Sequence, residues 1–288
     1  MGFPVEPTVD LDMPQTGKQL RLAVLVSGSG TNLQAMLDRI KARSLAAEVV
    51  VVASDRADAF GLQRAGNAGI PVHVVDYSAF LRSDQGFNSL LAQVQNECSV
   101  DIVELDKRQQ ILRSVDSGRQ RERLARLVLA EHALIQLLDR YEPDYICLAG
   151  FMRLLTPHFL GHYNQGDRYR VVNIHPALLP AFPGQHGYRD TFTYGCKWGG
   201  ITVHFADEGE DTGPIIAQAV YPIWPSDDVD AVRNRGLRIE YEIYAQCLNW
   251  IAREQLTLHR EACGKPRVVI TDPAYGNVLR SWLEMALV

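Results

Sequence analysis

Asn173 and His175 stand two residues apart in V-V-N-I-H-P, so on a strand they project from the same face of the pleat. Val171, Val172 and Ile174 give the stretch the β-branched character of a buried strand, and Pro176 ends it. An amide and an imidazole side by side at a strand's carboxyl end stand where open α/β sheets place their chemistry. The bland alternative is a strand end whose polar residues bond a neighbouring loop. A second stretch, 199–214, favours chemistry. Ile201, Val203 and Phe205 alternate with Thr202 and His204, the period of a half-buried strand, and an acidic turn follows: Asp207, Glu208, Gly209, Glu210, Asp211. Mutual repulsion suits most of these carboxylates to a solvated loop. Asp211, just before Thr212-Gly213-Pro214, is the one best placed to be held rigidly. If the two strand ends are neighbours, Asp211 meets His175, and a carboxylate there is expected to raise the histidine's pKa, making it a proton carrier near neutrality. A metal on this pair would need a third ligand, and none stands at suitable spacing, so no metal is expected.

These groups need elements to position them. L-R-L-A-V-L-V at 20–26 is nearly continuously apolar, as a central parallel strand should be, and runs into Ser27-Gly28-Ser29-Gly30-Thr31-Asn32. Leu33, Met36, Leu37 and Ile40 then recur at helical spacing. Strand, glycine turn and helix start together make an anion site, because the backbone can approach a phosphate and free N–H groups point at it. Gly28-x-Gly30, with Asp55 after the second strand, invites a dinucleotide reading. Leu33 stands where the third glycine would be, however, and no G-K-[ST] follows, so the turn reads as a site for one phosphate monoester, against a plain structural turn.

Further strands are expected at 47–53, 71–75, 144–149, 215–221 and 267–271, and helices at 57–68, 122–138 and 229–251. The helix at 229–251 carries Arg238 and Glu240. The βαβαβ order predicts an α/β fold: a doubly wound, mostly parallel, Rossmann-like sheet. The strand at 144–149 ends on Gly150-Phe151-Met152-Arg153-Leu154-Leu155, an apolar lip near the strand-end pair. Residues 1–19 show no period and read as a tail or surface strap. The pattern loosens from 77 to 118, with one short helix at 87–94, and reads as an insertion; 254–288 reads as a small appendage on the same domain. No repeat or clean linker divides 20–253.

With 288 residues, 47% of them apolar, the chain can bury a substantial core. A net charge of −5 and scattered basic residues leave no electrostatic footprint for nucleic acid. No apolar run is long enough for a membrane span and no signal sequence opens the chain, so a cytoplasmic protein is expected. Five widely spaced cysteines without a C-x-x-C pair argue against a disulfide framework or zinc knuckle.

The motifs also carry a resemblance. S-G-S-G-T-N-L-Q at 27–34, A-D-A-F-G-L at 57–62, L-A-G-F-M-R at 148–153, N-I-H-P-A-L-L-P at 173–180, and V-H-F with E-D-T-G-P-I-I around 203–216 keep their order over roughly 20–253. In these blocks the chain resembles the glycinamide ribonucleotide transformylases, the folate-dependent phosphoribosylglycinamide formyltransferases of purine synthesis. The resemblance implies that the amine of glycinamide ribonucleotide attacks the formyl carbon of 10-formyltetrahydrofolate. It implies Asn173, His175 and Asp211 as the catalytic trio, with Asn173 and a protonated His175 holding the oxyanion. Gly30, Thr31 and Asn32 would hold the substrate phosphate, and Glu240, with helix neighbours such as Arg238, the ribose or glycinamide portion. Met152, Arg153, Leu154 and Leu155, with Asn173 and Asp207, Glu208, Gly209, Glu210 and Asp211, would line the pocket for the folate ring. An arginine of the family that helps bind folate falls after the insertion, where Arg121, Arg123 and Arg126 compete. His186 reads as an exposed loop histidine within 185–200, and His204 as a structural neighbour of the catalytic pair. Two rivals remain open: another formyl-folate enzyme, such as a hydrolase or a transferase to a different amine, and a non-catalytic folate or nucleotide sensor. Monomer and homodimer are not distinguished.

Overall fold

The computed structural model describes residues 19–113, 116–260 and 265–288. The expected tail at 1–19 lies, apart from Gln19, outside the described residues. The chain runs β1 (Leu20–Val26), α1 (Thr31–Lys41), β2 (Ala47–Ser54), α2 (Phe60–Asn67), β3 (Val72–Val74), α3 (Tyr77–Leu81), α4 (Phe87–Cys98), α5 (Ile102–Arg108), α6 (Ser117–Asp139) and β4 (Tyr145–Leu148). It continues through α7 (Pro157–Tyr163), β5 (Val171–His175), α8 (Gly187–Tyr194), β6 (Trp198–Phe205), β7 (Ile215–Pro222), α9 (Val229–Ala252), β8 (Leu256–His259), β9 (Arg267–Ile270) and α10 (Tyr275–Leu287).

Seven strands form one sheet in the order β3-β2-β1-β4-β5-β6-β7, and β8 and β9 form a separate hairpin pair. The first five strands in that order are parallel; β6 runs antiparallel to β5, and β7 to β6. The sheet is therefore mostly parallel, as the sequence predicts. Its order reverses between β1 and β4, and such a reversal opens a crevice at the strands' carboxyl ends.

β1 shows why its sequence is an unbroken apolar run. Leu22, Val24 and Val26 pack with Leu33 and Met36 of α1 and Ile243 and Leu248 of α9. Ala23 and Leu25 pack on the opposite face with Leu134 and Leu138 of α6. Both faces are covered, so no polar alternation is tolerated. Each of the larger side chains contributes roughly 1.5–3 kcal/mol by its burial. Tyr244 of α9 fixes the middle of the sheet, its hydroxyl lying 2.9 Å from the Val172 carbonyl and 3.2 Å from that of Leu148.

Within the region 77–118, the described residues are more ordered than the composition suggests. It holds α3, α4 and α5, and Leu90, Val94, Ile102 and Leu105 pack against Leu124, Ala125 and Val128 of α6 in a third apolar cluster. Its pattern reads as loose because the helices are short and separated by turns. Asp76, Asp101 and Asp116 cap the following helices through their side chains. The stretch 185–200, expected as a loop, contains α8, which has no side-chain cap on His186 to announce it. The C-terminal segment adds α10, whose Trp282 and Ala286 join the main core. Trp250 meets Tyr275 and Trp282 edge to face and donates to Asp272 at 2.6 Å. Cys98, Cys147, Cys196 and Cys247 are free thiols, and Cys263 lies outside the described residues. Among the described residues no helix is long and apolar enough to cross a membrane.

α6 buries Glu131 completely. Its Oε1 accepts the Thr156 N–H at 2.7 Å and its Oε2 accepts the Thr156 hydroxyl, which pins the start of α7. Burial pushes the carboxyl up to about 8, against hydrogen bonds from Thr156 and the Phe159 amide that pull it down. Between the ordinary value of 4.5 and about 8 the folded chain thus holds a proton that the unfolded chain has released. The stability this group contributes is complete below that window and is lost as pH rises through it. Glu131→Gln is expected to remove this loss, leaving the variant more stable relative to wild type above the window than below it, as read by denaturant titrations on either side.

Candidate active site

β1 ends in Ser27, which ties three strand ends together. Its hydroxyl donates to Asp55 Oδ1 at 2.6 Å after β2 and accepts the Met152 N–H at 2.9 Å after β4, while its own N–H donates to the Gly150 carbonyl at 3.1 Å. Arg153 Nε donates to the other Asp55 oxygen at 2.6 Å. Asp55, which the dinucleotide reading would place on a ribose, is 4% exposed and committed to this junction.

α1 begins at Thr31 behind Gly30, whose φ is 66°, with no side-chain cap and no acidic residue in its first turn. Its first amides have no partner within the helix and lie at the positive end of the helix dipole. A Cβ on Gly30 would stand 2.5 Å from the Cα of Gly61, so this turn packs backbone to backbone against the start of α2. Asn32 points inward. Its Nδ2 donates to Glu240 Oε2 at 2.6 Å, and its Oδ1 is buried without a partner. Glu240 also accepts the hydroxyl of Tyr188 from α8. Burial raises the Glu240 pKa, against the hydrogen bonds from Tyr188 and Asn32. Gly236, just over one turn earlier on α9, makes room for this tyrosine: a Cβ there would stand 2.2 Å from the Tyr188 ring. Sequence reasoning missed Tyr188, and only the close approach at Gly236 betrays it.

Asn173, His175 and Asp211 come together. His175 Nδ1 lies 3.2 Å from Asp211 Oδ2, and Asn173 Nδ2 donates to Asp211 Oδ1 at 3.3 Å. The Gly184 N–H donates to Asp211 Oδ2 at 2.8 Å. His204 pairs with Asn173 across the β5–β6 ladder, which sets its Nε2 3.2 Å from Asn173 Nδ2 and 3.5 Å from Asp211 Oδ1. Its Nδ1 lies 2.9 Å from the Phe205 carbonyl, so a buried His204 supports the trio from beneath. The turn that delivers Asp211 is tight. Asp211 has φ 53°, and a Cβ on Gly213 would stand 1.8 Å from the Phe205 carbonyl oxygen.

The expected rise in the His175 pKa is corrected by the structure. The ring is 3% exposed, and desolvation, the largest influence, lowers its pKa below the ordinary 6.5 despite Asp211, the Phe182 carbonyl and Glu210, all of which pull it up. The resting imidazole is neutral at neutral pH. Both of its nitrogens nevertheless face acceptors, Asp211 on one side and the Phe182 carbonyl at 2.7 Å on the other, so a second proton finds its place prepared. Burial also pushes Asp211 upward, but His204, His175 and the Gly184 amide together leave it below its ordinary value.

One cleft of about 250 Å³ is lined by Asn32 and Glu240, by Asn173, His175 and Asp211, by the lip 151–155, and by Asp207, Gly209 and Glu210. Gly30 and Thr31 adjoin it through Asn32. Four expected residues are not in its lining: Gly30 and Thr31, and also Arg238, which is exposed on α9, and Glu208, which forms an ion pair with Arg108 of α5. The three candidate arginines after the insertion are not in it either. Arg121 pairs with Asp106 at 3.1 Å, Arg123 is exposed, and the buried Arg126 donates to the Phe80 and Ser83 carbonyls and to Glu122. Arg153 does line the cleft, and so does Ile111 from the segment after α5, which sequence reasoning did not single out. His186 is exposed, as expected.

Residues 20–248 match the family described as formyl transferase. The chain belongs to that family. This formyl transferase is 35% identical to the phosphoribosylglycinamide formyltransferase of Escherichia coli strain K12, over 84% of this chain and 92% of that protein. It is 36% identical to the trifunctional purine biosynthetic protein adenosine-3 of Drosophila melanogaster, over 80% of this chain but 14% of that much longer protein. Among solved structures, glycinamide ribonucleotide transformylase 1 from Symbiobacterium toebii superposes with a TM-score of 0.67 at 35% identity, covering 89% of this chain and 96% of that one.

Removing the carboxylate beside His175 takes away an influence that raises its pKa. In an NMR titration of the imidazole, His175 is expected to titrate below 6.5 in the unaltered chain and lower still in Asp211→Asn. A midpoint above 6.5 in the unaltered chain would contradict the dominance of burial.

Proposed function

We propose that this formyl transferase moves the formyl group of 10-formyltetrahydrofolate to the amine of glycinamide ribonucleotide. The observation that carries the reading is that one cleft is shared by Asn32, in the first turn of α1 just after the glycine turn, by the polar trio and by an apolar lip. The turn at Gly30, Thr31 and Asn32 suits the substrate's phosphate monoester. The orphaned Asn32 Oδ1 accepts a hydrogen bond that a hydroxyl or amide of the ribonucleotide can donate, beside Glu240. The apolar side chains of the lip, facing the polar backbone of 207–211, fit a flat ring with a hydrogen-bonding edge, so Met152, Leu154 and Leu155 with Asp207, Gly209 and Glu210 would hold the folate. Arg153, anchored on Asp55, takes the place left by the three arginines that point elsewhere.

The neutral resting ring changes the mechanism from the one the resemblance implies. As the amine attacks, the formyl oxygen gains negative charge and the nitrogen becomes acidic. His175 takes that proton on Nε2, which must turn from the Phe182 carbonyl to reach it, and becomes the imidazolium that Asp211 is placed to hold. The charged ring, with one N–H of Asn173 turned from its long bonds to Asp211 and His204, stabilises the oxygen. The proton then passes to the departing folate nitrogen, which leaves the ring neutral again.

The test is to mix the protein with both substrates and follow loss of the formyl group from the folate with and without the ribonucleotide. Loss that requires the ribonucleotide supports the transfer, whereas loss that ignores it would assign a hydrolase. His175→Ala is expected to lower kcat by about 10²- to 10⁴-fold with little change in ribonucleotide affinity. Gly30→Val is expected mainly to weaken ribonucleotide binding, since its side chain would collide with Gly61 and reshape the anion turn.

A further inference from the structure

Outside the catalytic cleft, three helices bring soft ligands together. Cys98 ends α4, His132 lies within α6, and His158 lies in the first turn of α7. One sulfur and one nitrogen from each ring lie within 4.8 Å of one another, and all three residues are partly buried, leaving a route from solvent. The two rings are 5.8 Å apart and tilted by 31°. His158 Nε2 is buried and has no hydrogen-bond partner. The Gln136 amide nitrogen lies 3.0 Å from His132 Nε2, a contact that the ring exchanges for the ion where it ligates through that nitrogen.

We propose that Cys98, His132 and His158 bind a zinc-class divalent cation, with water completing the coordination. One thiolate and two imidazoles are the donor set of tetrahedral zinc, whereas magnesium and calcium demand oxygen ligands. Zinc–sulfur and zinc–nitrogen bonds of ordinary length put neighbouring ligand atoms about 3.3–3.8 Å apart, so the cluster contracts by roughly 1 Å on binding, which side-chain rotation can supply. The ion displaces the proton of the Cys98 thiol. It fastens α4, α6 and α7 together beside Glu131, the residue that pins Thr156 at the start of α7. The residue before Thr156 is Leu155, which lines the cleft, so the ion braces the wall of the catalytic site without entering it.

The whole chain, stripped with a chelator, is titrated with Co²⁺ and then with Zn²⁺. The expected result is one equivalent of Co²⁺ with a thiolate-to-metal charge-transfer band and the visible bands of four-coordinate cobalt, displaced by Zn²⁺ but not by Mg²⁺. Cys98→Ser is expected to abolish the charge-transfer band. Cys98→Ser, His132→Gln and His158→Gln are each expected to weaken binding at least about 100-fold, since losing even an outer partner of a ligand typically costs 10–100-fold. Exchange of the exposed histidine, His259→Gln, is expected to change nothing. In the unaltered protein, where folding is not in question, Zn²⁺ should slow alkylation of Cys98 as located by mass spectrometry. A cobalt spectrum without a thiolate band, affinity indifferent to all three ligand exchanges, or Cys98 alkylation unaffected by Zn²⁺ would overturn the site.

Discussion

The Asp211 carboxylate is taken out of water among two histidines, an asparagine and a backbone amide, and the site depends on its remaining ionised there. Burial alone would raise its pKa; His204, His175 and the Gly184 N–H together outweigh burial and leave it below its ordinary value. That charge makes a neutral but readily protonated imidazole possible beside it. No single element carries the arrangement. β5 supplies Asn173 and His175, the Phe182 carbonyl and Gly184 amide come from the loop that follows, and Asp211 returns from the far end of β6.

The loop between β6 and β7 makes that return. Because β6 runs back along β5, Asn173 faces His204, His175 faces Thr202 and Phe205 faces Val172 in the ladder, so β6 ends beside the start of β5 and the loop beyond it folds back to bring Asp211 to His175. The rest of the sheet holds the opposite wall: Ser27 ties the ends of β1, β2 and β4, and Tyr244 reaches the carbonyls of both β4 and β5. The lip and the trio are thereby fixed relative to each other by the sheet itself.

Much of this was legible in the residues. The apolar run of β1, the glycine turn, the two-residue spacing of Asn173 and His175, and the isolated position of Asp211 before T-G-P each have a local physical signature. What escaped was decided by tertiary contact. α8 carries no capping signal, and Tyr188 matters only because Gly236, far along the chain, leaves space for it. Arg121, Arg123 and Arg126 could not be ranked because helical spacing does not say which face meets the cleft, and the structure turns all of them elsewhere. The direction of the His175 shift was misjudged because a sequence displays the neighbouring charge but not the burial that opposes it. Cys98, His132 and His158 lie on three different helices, and only the packing of α4 and α7 against α6 brings them into one cluster.

The contact between Gly30 and Gly61 has a consequence for selectivity. The two backbones touch without any intervening side chain, so the loop ahead of α1 cannot spread unless the whole of α2 slides outward. Its capacity is therefore set by main-chain geometry rather than by residues that drift can readily exchange. With the turn holding the substrate's phosphate as proposed, widening it to admit a pyrophosphate would require moving α2.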